Sequence, residues 1–168
     1  HKFNPNYTDM WGCGLWKLDK DTGTEIVSGG VITGGGGDFA HSDGGGVLVN
    51  VGGKLTMTGG SIVGCSAGGL GGGVHLAYDS SIGKSSTFTM TGGSIIGCAA
   101  QLGSGVYVAT GCTFTMGSGS EIRNCNAQSG GGGVDISALW NSNIIGCFIM
   151  NGGTIRTCTG LYLSLIHI

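Results

Sequence analysis

Four of the seven cysteines recur at one equivalent place in the chain, always three residues after an isoleucine; they are Cys65, Cys98, Cys125 and Cys158. Thiolates ligate zinc and thiols form disulfides, so the set raises both possibilities. Zinc needs four ligands converging on a point, whereas a repeat spreads equivalent residues along a line, and no Cys-x-x-Cys pair is present. We therefore expect a structural column of small buried thiols and no metal.

Disulfides within this column stay open as an alternative. Stacked α-carbons about 4.8 Å apart lie inside the usual disulfide window, but β-carbons held at nearly that distance are wider than a bridge prefers. The other cysteines, Cys13, Cys112 and Cys147, have no evident partner, and an odd total leaves at least one thiol unpaired within the chain.

Aromatic and polar side chains gather in two stretches that lengthen the repeat described below. These stretches are AYDSSIGKSS at residues 77–86 and SALWNSNIIG at residues 137–146. Such a mixture stacks on a flat apolar face and hydrogen-bonds around it, as ligand-binding loops do. The predicted binding residues are Tyr78, Asp79, Lys84, Trp140 and Asn141. The alternative is that both stretches are tolerated insertions whose aromatic rings cover a corner of the fold.

A third group shares one face of a predicted strand: Leu48, His75, Tyr107 and Asp135. Glycoside cleavage needs a second acid beside the first, and this column offers a single carboxylate. We interpret it as a solvated strand face without catalytic function. No nucleophile with a paired histidine, phosphate-binding P-loop or dinucleotide-binding fingerprint is visible in the sequence.

The elements that position these residues come from an internal repeat. The word Gly-x-Gly-Val, most often Gly-Gly-Gly-Val, ends at Val47, Val74, Val106 and Val134, with spacings of 27, 32 and 28 residues, as expected for a solenoid. Each unit reads as a Val-x-Val strand, a turn, a Phe/Leu-x-Met strand, a Gly-Gly bend and a short Ser-Ile strand. Three short strands per unit, each with period-2 alternation, predict an all-β parallel β-helix of about four to five turns.

The inward positions form columns of like residues, which the repeat stacks at the strand spacing of about 4.8 Å. The five columns are Val47/Val74/Val106/Val134, Val49/Leu76/Val108/Ile136, Leu55/Phe88/Phe114/Phe148, Met57/Met90/Met116/Met150 and Ile62/Ile95/Ile122/Ile155. A degenerate unit starts near Glu25 and places Ile32 in the isoleucine column. From Val47, Val74, Val106 and Val134 the chain takes 10, 16, 10 and 16 residues to the methionine, so both insertions fall at one corner, on either side of the turn at residues 109–111.

Composition limits the partners. The chain has 39 glycines, one proline, 10% charged residues and a net charge of -2. It has neither collagen's Gly-X-Y order nor the composition of a disordered chain, and without a basic cluster we expect no nucleic-acid partner. No apolar run is long enough to span a bilayer, so we expect no membrane insertion. No cofactor is expected either.

The pattern GGGV-x-V … F-x-M-x-G-G-S-I-x-G-x, over residues 43–160, resembles the repeats of right-handed parallel β-helix proteins related in fold to pectate lyases. These include large secreted and surface-attached adhesin-like proteins of bacteria. The resemblance implies a secreted or cell-surface, non-catalytic structural or adhesive segment whose corner loops bind glycan or a host or cell-surface protein. The alternative it implies is a polysaccharide lyase or hydrolase whose active turns lie outside this sequence.

We divide the chain into three parts. Residues 1–24 are predicted to be a lead-in or partial cap, because they are richer in charge and tryptophan, and residues 25–162 to be one β-helix domain. Residues 163–168, LSLIHI, match the in-frame translation of a transposon end used for sequencing libraries, so we expect read-through there and a fragment of a longer protein. Exposed end strands would then continue, be capped, or associate end to end.

Overall fold

The computed structural model describes residues 16–18, 24–34, 43–81, 83–138 and 144–161. All regular secondary structure within these ranges is β-strand. In chain order the strands are β1 (Trp16–Leu18), β2 (Thr24–Val27), β3 (Val31–Thr33), β4 (Val47–Val49), β5 (Lys54–Val63), β6 (Val74–Leu76), β7 (Tyr78–Asp79), β8 (Lys84–Ser85), β9 (Thr87–Ile96), β10 (Ala99–Ala100), β11 (Val106–Val108), β12 (Thr113–Arg123), β13 (Asn126–Ala127), β14 (Val134–Ile136), β15 (Cys147–Met150) and β16 (Thr154–Arg156).

The first sheet stacks the Val-x-Val strands in the order β1-β4-β6-β11-β14, and every pair is parallel. Val47 pairs with Val74, Val74 with Val106, and Val106 with Val134, without a register shift. Parallel pairing of strands that lie one repeat apart is the signature of a β-solenoid. The chain therefore coils through about four turns, as the repeat predicts.

The second sheet contains the strands that carry phenylalanine, methionine and isoleucine, in the order β15-β12-β9-β5-β2, with β16 beside β12 and β3 beside β5. The predicted second and third strands run together here as one strand of 10 or 11 residues in β5, β9 and β12. Gly60 and Gly93 have φ angles of 78° and 91°, which lets the chain bend at the Gly-Gly pair while the ladder resumes beyond a register shift. In the first and last turns the two strands are separate, as β2 and β3 and as β15 and β16.

A short third side closes each turn just after the column cysteine. Strand β10 pairs with β13 in parallel, and single bridges join Ser66 to Ala99 and Asn126 to Thr159. These bridges join residues that lie one repeat apart, as the ladder of the second sheet does before the cysteine. The strands on both sides of the cysteine corner are therefore stacked in the same register.

The core consists of the predicted columns, except that Ile136, predicted to face inward in the last turn, is 42% exposed. Phe88 and Phe114 are fully buried and stack with ring centroids 4.8 Å apart, and Phe114 stacks on Phe148 at 5.0 Å. Offset stacking of aromatic rings adds to the burial of their apolar area. Each turn thus buries its side chains against the turns above and below, which is why one turn alone has no core of its own.

The predicted weak first turn is present. Ile32 of β3 pairs with Ile62 and is 8% exposed, so it joins the isoleucine column. Strand β1, within the segment predicted as lead-in, pairs in parallel with β4. Residues 1–15 and 163–168 lie outside the described ranges, and the interpretations placed on them stay predictions. The right-handed sense of the coil likewise stays a prediction.

The residue before each column cysteine turns the corner in a left-handed conformation. Gly64 and Gly97 both have φ of 63°, Asn124 has 56° and Thr157 has 54°. Glycine adopts this region freely and asparagine tolerates it, but a β-branched residue does so only with strain. The Gly-Cys pair of the repeat is therefore a turn followed by an inward side chain.

Candidate functional site

Both insertions start and end at the same corner, as predicted, and antiparallel pairing brings the described ends of each together. In the first, β7 pairs with β8, and in the second, Ala138 bridges to Ile145. Gly111, with φ of 74°, fits between them, because a β-carbon there would lie 3.3 Å from both Tyr78 and Ile144. The turn at residues 109–111 thus lies between the two hairpins.

An open groove of about 280 Å³ lies beside this corner, against the outer face of the first sheet. Its lining combines aromatic and aliphatic side chains with hydroxyl groups: Leu70, His75, Ala77, Tyr78, Tyr107, Ala109, Thr110 and Ser137. Aromatic faces with a few placed polar groups are what small-molecule and sugar sites offer. This groove is the candidate functional site.

The groove corrects one expectation. The column that includes His75 and Tyr107 was predicted to be a solvated strand face, yet His75 is 7% and Tyr107 is 8% exposed. The preceding glycines fold back over them, since a β-carbon on Gly71 would lie 2.7 Å from that of His75, and one on Gly103 would lie 2.8 Å from that of Tyr107. Strand alternation marked these residues as outward, but the glycine loop covers the outward side.

His75 is held in its neutral form. Its Nδ1 atom lies 3.7 Å from Oδ2 of Asp43, beyond hydrogen-bond distance, and is the only buried side-chain nitrogen or oxygen in the described ranges without a hydrogen-bond partner. Burial lowers the pKa of His75 to about 4, and the nearby Asp43 carboxylate opposes the shift. The groove therefore contains an uncharged imidazole at neutral pH.

Tyr107 connects the imidazole to the far side of the groove. Its ring meets that of His75 edge to face, with centroids 5.3 Å apart and planes at 85°. Burial raises the pKa of Tyr107, a side-chain hydrogen bond with Ser137 opposes the shift, and Asp135 and Asp43 reinforce it. The phenol thus stays protonated and can donate or accept a hydrogen bond.

The five predicted binding residues divide into three groups. Tyr78 lines the groove and packs against the core. Asp79 and Lys84 face each other across the β7–β8 hairpin, where Oδ1 of Asp79 accepts bonds from the backbone and the hydroxyl of Ser81 at 2.8 and 2.5 Å, and neither lines the groove. Trp140 and Asn141 lie outside the described residues.

The corner insertions and the outward face of the first strand were weighed as separate regions from the sequence, whereas the structure joins them in one groove. Tyr78 comes from the corner insertion, whereas His75 and Tyr107 come from the strand face. The sequence did contain a signal for this, because His75 precedes Tyr78 by only three residues and the two must therefore lie close together around the corner. Ser137 begins the second predicted insertion and Thr110 lies in the turn between the insertions, but neither was singled out as a binding residue.

The carboxylates near the groove accept hydrogen bonds from backbone amides. Oδ1 of Asp43 accepts a hydrogen bond from the amide of Leu70 at 2.8 Å, and Oδ2 of Asp135 accepts one from the amide of Gly131 at 2.7 Å. These bonds hold the glycine loops over the strand. The arrangement offers binding groups, with no pair of carboxylates aimed at a common point within the groove lining.

None of the cysteines in the described ranges forms a disulfide. Cys65, Cys98 and Cys125 are at most 1% exposed, and Cys158 is half-buried. Each donates to the carbonyl two residues before it, at 3.4 to 3.7 Å. Cys112 is also buried and contacts Ser86 and the carbonyl of Ala77, at 3.4 and 3.3 Å.

In the part of the chain that the structure describes, no three metal-binding side chains converge on one site. Nor is there, in those same ranges, a helix of the length and hydrophobicity needed to cross a membrane.

No protein-family model matches this chain, and comparisons with curated proteins and with solved structures find no significant match. The β-solenoid is therefore assigned from the strand pairing itself.

Proposed function

We propose that this chain is a non-catalytic structural and adhesive segment of a secreted or cell-surface protein of the adhesin-like β-helix type. The stacked coil acts as a stiff spacer, and the groove beside the corner hairpins binds a glycan or the surface of a partner protein. The observation that carries the proposal is the groove lining, in which Tyr78 and Tyr107 stand beside the hydroxyls of Thr110 and Ser137.

The chemistry of the lining favours a sugar ring. The ring of Tyr78 can stack on the apolar face of a pyranose, while hydroxyl groups of the lining exchange hydrogen bonds with its rim. His75 and Tyr107 are buried and cannot rearrange freely, so a ligand meets preformed groups and a smaller ordering cost. A groove of about 280 Å³ is near the lower limit of ligand pockets, which favours one sugar unit of a longer chain.

A spacer role is supported by the pairing of the turns. Consecutive turns from Val47 to Val134 hydrogen-bond without a register shift on the first side, and their inward side chains are buried except for Ile136 in the last turn. Local opening must then break a ladder and uncover a core at once, which favours resistance to proteases. Within the described ranges, β2 and β15 are the end strands of the second sheet and pair on one side only, which favours a covering cap, further turns or a second copy.

A polysaccharide lyase or hydrolase remains the alternative proposal from the same resemblance. Its active turns would lie outside the described ranges, because Asp43 and Asp135 bond to backbone amides. Product analysis in the experiment below separates the two proposals, since an enzyme consumes the glycan and an adhesive segment retains it.

The proposal is tested by a glycan-array screen of the full chain, with Tyr78→Ala and Ser137→Ala as groove variants and eluates checked for cleavage. Lys84→Ala is the matched control, because Lys84 lies on the same hairpin but not in the groove. Retention lost in both groove variants and kept in Lys84→Ala supports the groove. Trp140→Ala tests the remaining predicted residue separately.

Three outcomes overturn parts of the proposal. Retention unchanged in both groove variants, with folding confirmed by circular dichroism, places binding elsewhere. No retention of any glycan or cell surface leaves the spacer role alone. Cleavage products would move the chain to the enzyme class.

A further inference from the structure

The four stacked thiols form a line of adjacent sulfur groups through the corner of the coil. The amide of Ala99 bonds to the carbonyl of Cys65, that of Asn126 to Cys98, and that of Thr159 to Cys125, each at 2.9 Å. These bonds fix one cysteine per turn in direct succession. The sulfurs are placed equivalently, because each Sγ donates to the carbonyl two residues before it, and those of Cys65, Cys98 and Cys158 also lie 3.8 to 4.0 Å from the carbonyl of the column isoleucine one turn earlier.

We propose that the column of Cys65, Cys98, Cys125 and Cys158 is a binding site for soft monovalent cations such as Cu(I), each held in line between sulfurs of two neighbouring turns. Zinc needs four ligands around one point, which the column does not provide. Soft ions with filled d shells accept thiolate ligands and need fewer of them.

The dimensions fit such a linear site. Neighbouring strands are about 4.8 Å apart, and two metal–sulfur bonds of about 2.3 Å laid end to end span about 4.6 Å. The ion would sit on the column axis without moving the backbone. The same distance is too long for a direct S–S bond of about 2.05 Å, so the spacing suits an inserted ion better than a disulfide.

The surroundings favour a soft ion over a hard one. Cys65, Cys98 and Cys125 are buried beside the isoleucine column, and a β-carbon on Gly46 would contact both Ile62 and Cys65, at 2.8 and 3.2 Å. Hard cations need oxygen ligands, and the nearby carbonyls already accept from the thiols and from backbone amides. A buried apolar column thus offers sulfur and little else.

Charge balance sets the stoichiometry of each step. One Cu⁺ and two thiols give one S–Cu–S unit, in which one sulfur is a thiolate and the other a thiol, and one proton leaves for solvent. The buried unit remains neutral, which avoids the cost of an unpaired buried charge. Four thiols taken in pairs hold about two ions per chain. No oxidant or reductant is consumed.

The column has an entry point. Cys158, in the last described turn, is half-buried, so an ion can reach its sulfur from solvent.

The test is an anaerobic titration of the full chain with Cu(I) against a colorimetric Cu(I) chelator, followed by X-ray absorption at the copper edge. The reference protein is Cys13→Ser/Cys112→Ala/Cys147→Ser, which keeps only the column thiols. The column variant adds Cys98→Ser/Cys125→Ser, because a serine hydroxyl can donate to the same carbonyls. Circular dichroism checks that each variant folds.

We expect the reference protein to take up about two ions, each with two sulfur neighbours, and the column variant to lose them. Cys158→Ser, at a half-buried position that tolerates change, should reduce uptake to about one ion even if the double variant does not fold. Equal uptake by reference and column variants, three or four sulfur neighbours per ion, or no uptake by the folded reference protein would each overturn the proposal. So would the absorption spectrum of tetrahedral thiolate-bound Co(II).

Discussion

The imidazole of His75 stands edge-on against the ring of Tyr107, with centroids 5.3 Å apart and planes at 85°. The two residues pair directly across β6 and β11, so consecutive turns of the coil supply the two halves of the contact. Glycine loops cover both rings from outside, and Tyr78 reaches the same groove from the corner hairpin. The binding groups are thus fixed by the stacking of the coil.

Acid should destabilise the protein through His75. Its pKa is about 4 in the folded chain and about 6.5 when unfolded, so between these values the unfolded chain binds more protons and stability falls as pH is lowered. The loss attributable to this group is up to about 3 kcal/mol. Urea unfolding of the wild type and His75→Phe at pH 7 and pH 4.5 measures it.

The phenylalanine keeps a ring edge against Tyr107 but carries no proton. We expect a steeper loss of stability in the wild type than in His75→Phe. Parallel pH profiles would show that His75 is not buried as neutral imidazole.

The aromatic column should dominate core stability. Phe114 lies between Phe88 and Phe148, at 4.8 and 5.0 Å, so Phe114→Ala leaves a cavity open to both neighbours. The expected cost is about 3–5 kcal/mol of unfolding free energy. Thr115→Ala, one residue along on the other face, should cost less than about 1 kcal/mol. Similar small losses from both would contradict the assigned facing.

Relieving the strained corner should stabilise the last turn. Thr157 is exposed and has φ of 54°, in a column where Gly64 and Gly97 take the same conformation without strain. We expect Thr157→Gly to raise the unfolding free energy by about 1 kcal/mol. The reverse change, Gly97→Ala, meets no atom within 4 Å yet should cost about 1–2 kcal/mol from backbone strain alone. A neutral result at both positions would argue against the left-handed corner.

Replacing a glycine of the loop that covers the first sheet, such as Gly73, should cost more stability than replacing a corner glycine such as Gly64. A β-carbon on Gly73 would lie 2.5 Å from the carbonyl oxygen of Gly105 and 2.7 Å from Ile95, where neither a backbone nor a core atom can yield. Gly73→Ala should therefore destabilise the protein more than Gly64→Ala, which costs about 1–2 kcal/mol. Thermal melts of the two variants compare them directly, and the opposite order would refute the close packing of turns.

The sequence allowed the coil and its core to be predicted because like residues recur in register. Val47, Val74, Val106 and Val134 pair as the repeat predicts, since period-2 alternation and one repeat per turn leave little freedom. The continuous second strand was not predicted, because a Gly-Gly pair usually reads as a turn between strands.

The site could be predicted only in part. Tyr78 was found from an insertion at a corner, where scaffolds commonly carry function. The burial of His75 was missed because alternation reports which side of a strand a residue faces, whereas the chain that later covers that side depends on the path of the glycine loop. Asp79 and Lys84 were chosen by residue type. In the structure they pair with each other across the hairpin, and neither lines the groove.

The most direct test of the central claim is the affinity of the full chain for the glycan that the array retains. Calorimetry compares the wild type with Tyr78→Ala, Ser137→Ala and Lys84→Ala. We predict at least tenfold weaker binding in the two groove variants, about 1.4 kcal/mol, and unchanged binding in Lys84→Ala. Equal affinity in all four folded proteins, or loss only in Lys84→Ala, would contradict a binding site in the groove of His75, Tyr78 and Tyr107.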